Sequence, residues 1–204
     1  MIQFHPTSKF DKDVSVIFLE KEQVSKASHP SLKADVKSKL KEISQAKLFT
    51  GECCQIFPVV NKKRSIVFVG LGEKGKRTSS SFRIHVRKTL LSAFVSKANS
   101  IEIICPDQAE ATIIAGIEGI MLGTYKWKKY LTKQKNEKSI FQKNITIIAK
   151  KSSAFTDAIA ICEGVNLTRD LVNENADVAN SAFLEKTIKA LVKGQKNVSV
   201  EILG

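Results

Sequence analysis

An α/β fold, with a mostly parallel or mixed sheet layered between helices, is the architecture this sequence predicts. Three observations point to it. Short β-rich runs alternate with segments of helical periodicity between Val14 and Ala149, the pattern that builds a sheet covered by helices. One helical segment, residues 107–124, is apolar on nearly every side and carries Gly116, Gly119 and Gly123 at spacings suited to close packing. Such a helix belongs in an interior. Hydrophobic residues make up 43% of the 204 residues, and mean hydropathy is −0.09. A sizeable core follows, and wholesale disorder is excluded.

The elements follow in order. Val14–Leu19 is a β-rich run bounded by charges, which predicts a strand. Between Ser31 and Ala46 the apolar residues Leu32, Val36, Leu40 and Ile43 make one stripe of an amphipathic helix. Two runs, Cys53–Val60 and Ser65–Val69, flank a polar Asn-Lys-Lys-Arg turn and predict a hairpin. Thr78 to Ser81 offer N-caps for a helix that places Val86, Leu90, Leu91, Phe94 and Val95 on one face. Ile101–Cys105 is a strand stopped by Pro106, and Asn144–Ala149 is the last strand of the first domain. Residues 131–143 are mostly polar and predict a loop.

A second unit begins near Ser152. Its first helix keeps Phe155, Ile159, Cys162, Val165 (or Asn166) and Arg169 in register and ends near Asn173. Ser181 caps another helix, with Leu184, Ile188 and Leu191 on one face and Gly194 at its end. Val198–Leu203 has a β pattern with no following strand to pair it, which is the mark of a truncated chain. The predicted organisation is residues 1–150, a connecting helix over 151–178, and the start of a further domain over 179–204.

Several function classes drop out. No apolar run is long enough for a transmembrane helix, and Met1-Ile-Gln-Phe-His-Pro6 lacks the features of a signal peptide. Cys53, Cys54, Cys105 and Cys162 show no CxxC spacing, and His5, His29 and His85 are scattered. Reduced, mostly buried thiols of a cytosolic protein are the plain reading, and a zinc site is not expected from these spacings. Net charge is +13, and Lys126, Lys128, Lys129, Lys133, Lys135, Lys138, Lys143, Lys150 and Lys151 face only Glu137 between Gly119 and Ser152. A solvated lysine-rich surface explains this. The alternative is contact with nucleic-acid phosphates through Lys126, Lys128, Lys129, Lys133 and Lys135. No aromatic-interleaved or base-reading pattern accompanies them.

Gly70-Leu-Gly-Glu-Lys-Gly75 matches G-x-G-x-x-G after a strand, a context that suits a pyrophosphate. Three serines delay the helix start, however, and the next strand ends too far along. A glycine-rich strand-to-helix turn accounts for it. Glu118, alone in an apolar helix, reads as a structural carboxylate that accepts hydrogen bonds rather than as a general base. Tyr125, Trp127 and Tyr130 at the same helix end cover the edge of the core, with lysines on the wet side.

Two stretches carry a resemblance. Glu118-Gly-Ile-Met-Leu-Gly-Thr-Tyr-Lys-Trp-Lys-Lys-Tyr130 resembles the "EG…LG.Y.F..Y" signature closing the N-terminal domain of the leucyl aminopeptidase family. Glu163-Gly-Val-Asn-Leu-Thr-Arg-Asp-Leu-Val-Asn-Glu174 is similar to the "RDLVNEP.N" segment of that family's connecting helix. Trp127 stands where phenylalanine is commoner, and Asn175-Ala-Asp-Val-Ala-Asn-Ser-Ala182 lacks the family's prolines. The resemblance runs along essentially the whole chain in element order.

The resemblance implies a macro-domain-like N-terminal domain, a connecting helix and a truncated start of the catalytic domain. It implies that the parent is a cytosolic enzyme removing N-terminal residues from peptides with two divalent metals, zinc or manganese. Those metals lie in the carboxy-terminal domain, where they polarise the carbonyl and activate a bridging water. The family's "GKG.TFD.GG" and "NTDAEGR" motifs do not occur here. No catalytic residue, metal ligand or cofactor is therefore expected within this chain, and its role would be in assembly and active-site access. The implied partners are the catalytic domain of the same protein and other copies in a hexamer, and no membrane. Arg169, Asp170, Asn173 and Glu174 correspond to an interdomain hinge beside the active site. Nucleic-acid binding remains the alternative, since some members of the family also bind DNA.

Overall fold

Six strands form one sheet in the computed structural model, which describes residues 2–60, 64–131 and 142–203. The elements are β1 (Ile2–His5), β2 (Val14–Leu19), α1 (Lys21–Ser25), α2 (Ala34–Gln45), β3 (Ile56–Val59), β4 (Ser65–Gly70), α3 (Ser79–Leu91), β5 (Ser100–Ile104), α4 (Glu110–Met121), β6 (Asn144–Ile148), α5 (Ser153–Asn173) and α6 (Ser181–Val192). Strand order is β1-β6-β5-β2-β4-β3. All neighbours are parallel except β3 and β4, which form the expected antiparallel hairpin. The sheet is thus mixed, as the alternating sequence pattern requires. The chain divides into two compact units, Met1–Glu163 and Gly164–Gly204.

Within the first unit the period-two rule sorts the strand residues onto two faces. Val14, Val16 and Phe18 of β2 join Val67, Val69, Ile101, Ile103, Ile145 and Ile147 on one face. Phe82, Val86 and Leu90 of α3, Ile113 and Ile117 of α4, and Phe155, Ala158 and Cys162 of α5 cover that face. Ile17 and Leu19 turn the other way, with Phe68, Ile104 and Ile148, beneath Val36, Leu40 and Ile43 of α2. The stripe read for residues 31–46 is therefore the buried face of α2.

Helix α4 is shorter than the predicted span but is the most enclosed helix of the first unit, with eight of its twelve residues buried. Its glycines are not equivalent. A Cβ on Gly119 would lie 2.8 Å from Val86 Cβ and 2.9 Å from the Arg83 carbonyl oxygen, whereas one on Gly116 would meet only ordinary contacts. Gly119 is thus where α4 and α3 come closest. Glu118, on the same helix, accepts from Arg83 Nε at 2.5 Å, the structural role expected of it.

Some expectations need correction. α3 ends at Leu91, so Phe94 lies past the helix; Leu91 is on its exposed side, and both are exposed. Tyr125, Trp127 and Tyr130 follow the end of α4 rather than riding on it, and Tyr130 is exposed. Residues 198–203 are neither helix nor strand, because a β pattern without a neighbour has nothing to satisfy its backbone. β1 escaped notice: its four residues are too few to show a pattern, and pairing with β6 is what makes them a strand.

His29 is buried near the carboxyl end of β5. Ser31 N–H donates to its Nδ1 at 3.2 Å, so Nε2 carries the proton and donates to the Cys105 carbonyl at 2.9 Å. Burial holds this imidazole below the ordinary value of 6.5. The unfolded chain therefore binds a proton that the folded chain resists, and stability falls as pH drops through and below 6.5.

Two outcomes are expected. In hydrogen exchange, α4 amides will be among the slowest, and Gly119→Ala will destabilise the fold by about 1–3 kcal/mol through overpacking; urea unfolding measures the second. The loss of stability between about pH 7.5 and about pH 5.5 will be smaller in His29→Gln, which keeps an amide donor but cannot titrate. Equal pH slopes for the two proteins would count against the burial of a neutral His29.

Candidate functional site

At the carboxyl ends of β2, β4 and β5 the chain gathers a polar cluster, at the edge where open α/β sheets usually bind ligands. β2 delivers Glu20, the turn after β4 delivers Arg77, and Pro106 after β5 is followed by Asp107. Arg77 Nη2 donates to Asp107 at 2.5 Å, Nη1 to Thr112 Oγ1 at 3.1 Å, and Nε to Glu20 at 3.5 Å. Its guanidinium lies 5.5 Å from the centre of the Phe82 ring. Gln23 Nε2 donates to the Pro106 carbonyl at 2.7 Å. A cleft of about 430 Å³ opens here, with Glu20, Glu22, Lys74 and Arg77 among its walls.

This geometry disposes of the pyrophosphate reading of Gly70–Gly75. The Lys74 N–H, which a phosphate would need, donates to the Glu22 carboxylate at 3.1 Å. Thr78 and Ser81 cap α3 with their own side chains, so two backbone donors at the helix start, Thr78 N–H and Ser81 N–H, are already taken. Two carboxylates hold Arg77, and the described residues of this cluster place no nucleophile beside a base. The cluster is a structural lock between three strand ends.

A second buried carboxylate was not singled out in the sequence. Glu102 of β5 accepts from Ser8 Oγ at 2.7 Å and Ser15 Oγ at 3.1 Å, which fastens the segment after β1 to the sheet. Its alternation within Ile101-Glu-Ile103 was the available signal, since a carboxylate in a central strand needs donors.

The predicted hinge residues occupy the end of α5 and its exit, within the second unit. Arg169 Nη1 donates to Asn166 Oδ1 at 3.3 Å, and Asn173 Nδ2 donates to the Arg169 carbonyl at 2.8 Å. Glu174 accepts from Asn175 N–H at 3.0 Å, and Asn180 caps α6 by accepting from Phe183 N–H at 3.0 Å. Asp170 is exposed on the same helix. These bonds form a turn without the family's prolines.

Of the lysines proposed for phosphate contact, Lys126 and Lys129 are exposed and Lys128 is half-buried. Lys133 and Lys135 lie outside the described residues. Lys143, counted in the same basic stripe, is instead buried and donates to the Ser96 carbonyl, because that carbonyl offers the ammonium a fixed acceptor.

The described residues do not fit a two-metal peptidase centre. That chemistry needs several carboxylates and a lysine converging on the metals, but Glu20 and Asp107 are both held by Arg77, and Glu118 by Arg83. One convergent group of potential metal ligands does occur among the described residues: Cys53, Cys54 and His85. The sequence spacing had separated these residues, and both cysteines prove to be exposed rather than buried. No helix among the described residues is long and apolar enough to cross a membrane.

Residues 16–134 match the N-terminal domain of the cytosol aminopeptidase family. A probable cytosol aminopeptidase of Clostridium tetani is 26% identical over the whole of this chain, which spans 42% of that protein. One from Protochlamydia amoebophila is 30% identical over 62% of this chain and 27% of its own length. The chain therefore spans less than half the length of these curated relatives. A mutant of tomato leucine aminopeptidase superimposes with a TM-score of 0.74, covering 99% of this chain and 44% of that one at 20% identity. The bottromycin maturation enzyme BotP, in complex with Mn, gives 0.61 over 89% of this chain and 36% of its own, at 19% identity. These structures share the fold, and the domain match covers more than half of the sequence. The chain belongs to the cytosol aminopeptidase family, whose N-terminal domain it carries.

Proposed function

We propose that this chain is the non-catalytic amino-terminal portion of a cytoplasmic leucyl aminopeptidase. The whole enzyme removes N-terminal residues from peptides, using two divalent metals, zinc or manganese, held by a carboxy-terminal catalytic domain. This portion serves assembly and access to the active site. Arg169, Asp170, Asn173 and Glu174 act as the polar hinge leading to the catalytic domain, and the whole protein assembles as a hexamer.

The observation that most favours this reading is the apolar stripe of α6. Leu184, Ile188 and Leu191 are 39%, 42% and 53% exposed, and the helix has no buried residue. An amphipathic helix of this kind is stabilised chiefly by covering its apolar face. A catalytic domain continuing from this unit would supply that cover. The hinge supports the reading as well, because Asn173 donates to the Arg169 carbonyl and Asn180 caps α6, which hold the turn without prolines.

The test is catalytic. The purified 204-residue chain will cleave no Leu-p-nitroanilide in manganese buffer, and turnover will appear when the carboxy-terminal catalytic domain is supplied with it. Metal-dependent turnover that co-purifies with the chain alone, and is lost on mutating an acid within it, would sink the proposal.

A further inference from the structure

We propose that Cys53, Cys54 and His85 form a binding site for one thiophilic, tetrahedral divalent cation of the zinc class, separate from any catalytic metals.

The distances are those of a ligand set. Cys53 Sγ and Cys54 Sγ lie 3.8 Å apart, and His85 Nε2 is 3.4 Å from the first and 3.5 Å from the second. Tetrahedral zinc with Zn–S of about 2.3 Å and Zn–N of about 2.0–2.1 Å places its sulfurs about 3.8 Å apart and sulfur and nitrogen about 3.5–3.6 Å apart. The three edges of the triangle therefore lie within about 0.2 Å of the lengths a bound zinc would impose.

The histidine is hydrogen-bonded as a ligating imidazole would be. Its Nδ1 lies 2.6 Å from the Ser81 carbonyl oxygen, which can only accept, so Nδ1 carries the proton. Nε2 is the nitrogen that faces the two sulfurs. A backbone carbonyl fixing the far nitrogen of a ligating imidazole is the usual outer-shell arrangement of metal sites. The ring itself is buried on α3, whose first turn is fixed by the Thr78–Ser81 capping box.

The cysteines are held from the other side. Cys54 N–H donates to the Gly70 carbonyl at 3.0 Å, and Gly72 N–H donates to the Gly51 carbonyl at 2.9 Å. The loop lies so close on β4 that a Cβ on Gly70 would fall 2.1 Å from the Glu52 carbonyl oxygen. Adjacent side chains on extended backbone point to opposite sides. Here Cys54 has φ 66°, in the left-handed region that non-glycine residues rarely enter, and both sulfurs face one histidine. Both cysteines are exposed, so the cation has an entry path and its fourth position is open to a water.

Binding releases two protons. The Cys53 and Cys54 S–H bonds break to give thiolates, each thiolate donates a pair to the cation, and neutral His85 donates the third. Two thiolates balance the charge of a divalent ion, and neither sulfur changes oxidation state. Oxygen-seeking Mg²⁺ is a poor match for this donor set.

Cobalt(II) is the probe, because thiolate coordination gives it a sulfur-to-metal charge-transfer band and intense tetrahedral d–d bands. The reduced chain, held in a non-chelating phosphine reductant, is titrated with Co²⁺ and then with Zn²⁺ or Mg²⁺. The expected result is one cobalt per chain with a thiolate spectrum that Zn²⁺ bleaches and Mg²⁺ does not. Cys53→Ser and Cys54→Ser, at exposed positions, will each lose that spectrum while keeping the parent circular dichroism. His85→Gln will weaken cobalt binding by at least about tenfold. A reduced chain that takes up no cobalt, or a thiolate spectrum that survives Cys53→Ser or Cys54→Ser, overturns the proposal. The thiolate signature also separates this site from the two-metal centre of the proposed whole enzyme, so either reading can fail alone.

Discussion

Strand β2 is the constraint on which the first unit depends. All six of its residues are buried, and it is paired in parallel on one side with β4 and on the other with β5. A strand so placed has no water to satisfy its backbone, so both neighbours are obligatory. Its alternation then commits Val14, Val16 and Phe18 to the layer of α3, α4 and α5, and Ile17 and Leu19 to the layer of α2. A slip of one residue would exchange those sets and bury each against the wrong helix. The lock at the sheet edge follows from the same placement. Glu20 immediately follows Leu19, so it reaches Arg77 only because β2 ends level with β4.

Much of this was legible because it rests on local sequence pattern. Val14–Leu19 is a β-rich run, Leu32 to Ile43 repeats at helical spacing, and residues 107–124 are apolar on nearly every side; each forms the predicted element, the last over a shorter span. The glycine turn was legible too: three serines after Gly75 put the α3 cap at Thr78, which sets the helix start apart from the last glycine. What stayed hidden depends on partners distant in sequence. β1 exists because β6 lies beside it, and Arg77 matters because Asp107 is brought to it from 30 residues away. Phe94 continues an apolar sequence pattern, yet the helix has already stopped at Leu91 and the side chain is left in solvent.

The thiol–imidazole group shows the same limit in its sharpest form. Cys53 and His85 are 32 residues apart and sit on different elements, so no short spacing motif records them. The sequence holds only half of the signal, an adjacent cysteine pair before a strand. The rest comes from the parallel pairing that carries α3 over the sheet and from the clasp of the 51–54 loop on Gly70 and Gly72. Cys105, by contrast, follows an apolar strand end where burial pushes its thiol up to about 12. Such a thiol is inert packing. Four cysteines of similar appearance in the sequence thus divide by environment into buried core and exposed donors.

Helices α2 and α6 make the complementary point about amphipathic patterns. Each has twelve residues with apolar side chains at helical spacing, Val36, Leu40 and Ile43 in one and Leu184, Ile188 and Leu191 in the other. In α2 those residues are buried against the sheet, and in α6 they are exposed. Periodicity states that a face requires cover, but it does not say what provides it. For α2 the cover is present in the same unit, because the sheet offers Ile17, Phe68 and Ile104. For α6 the described residues of its own unit leave the stripe open, and the remaining burial must come from a surface that can exclude water from all three side chains together. The demand for such a surface is a property of the helix itself and holds whichever surface meets it.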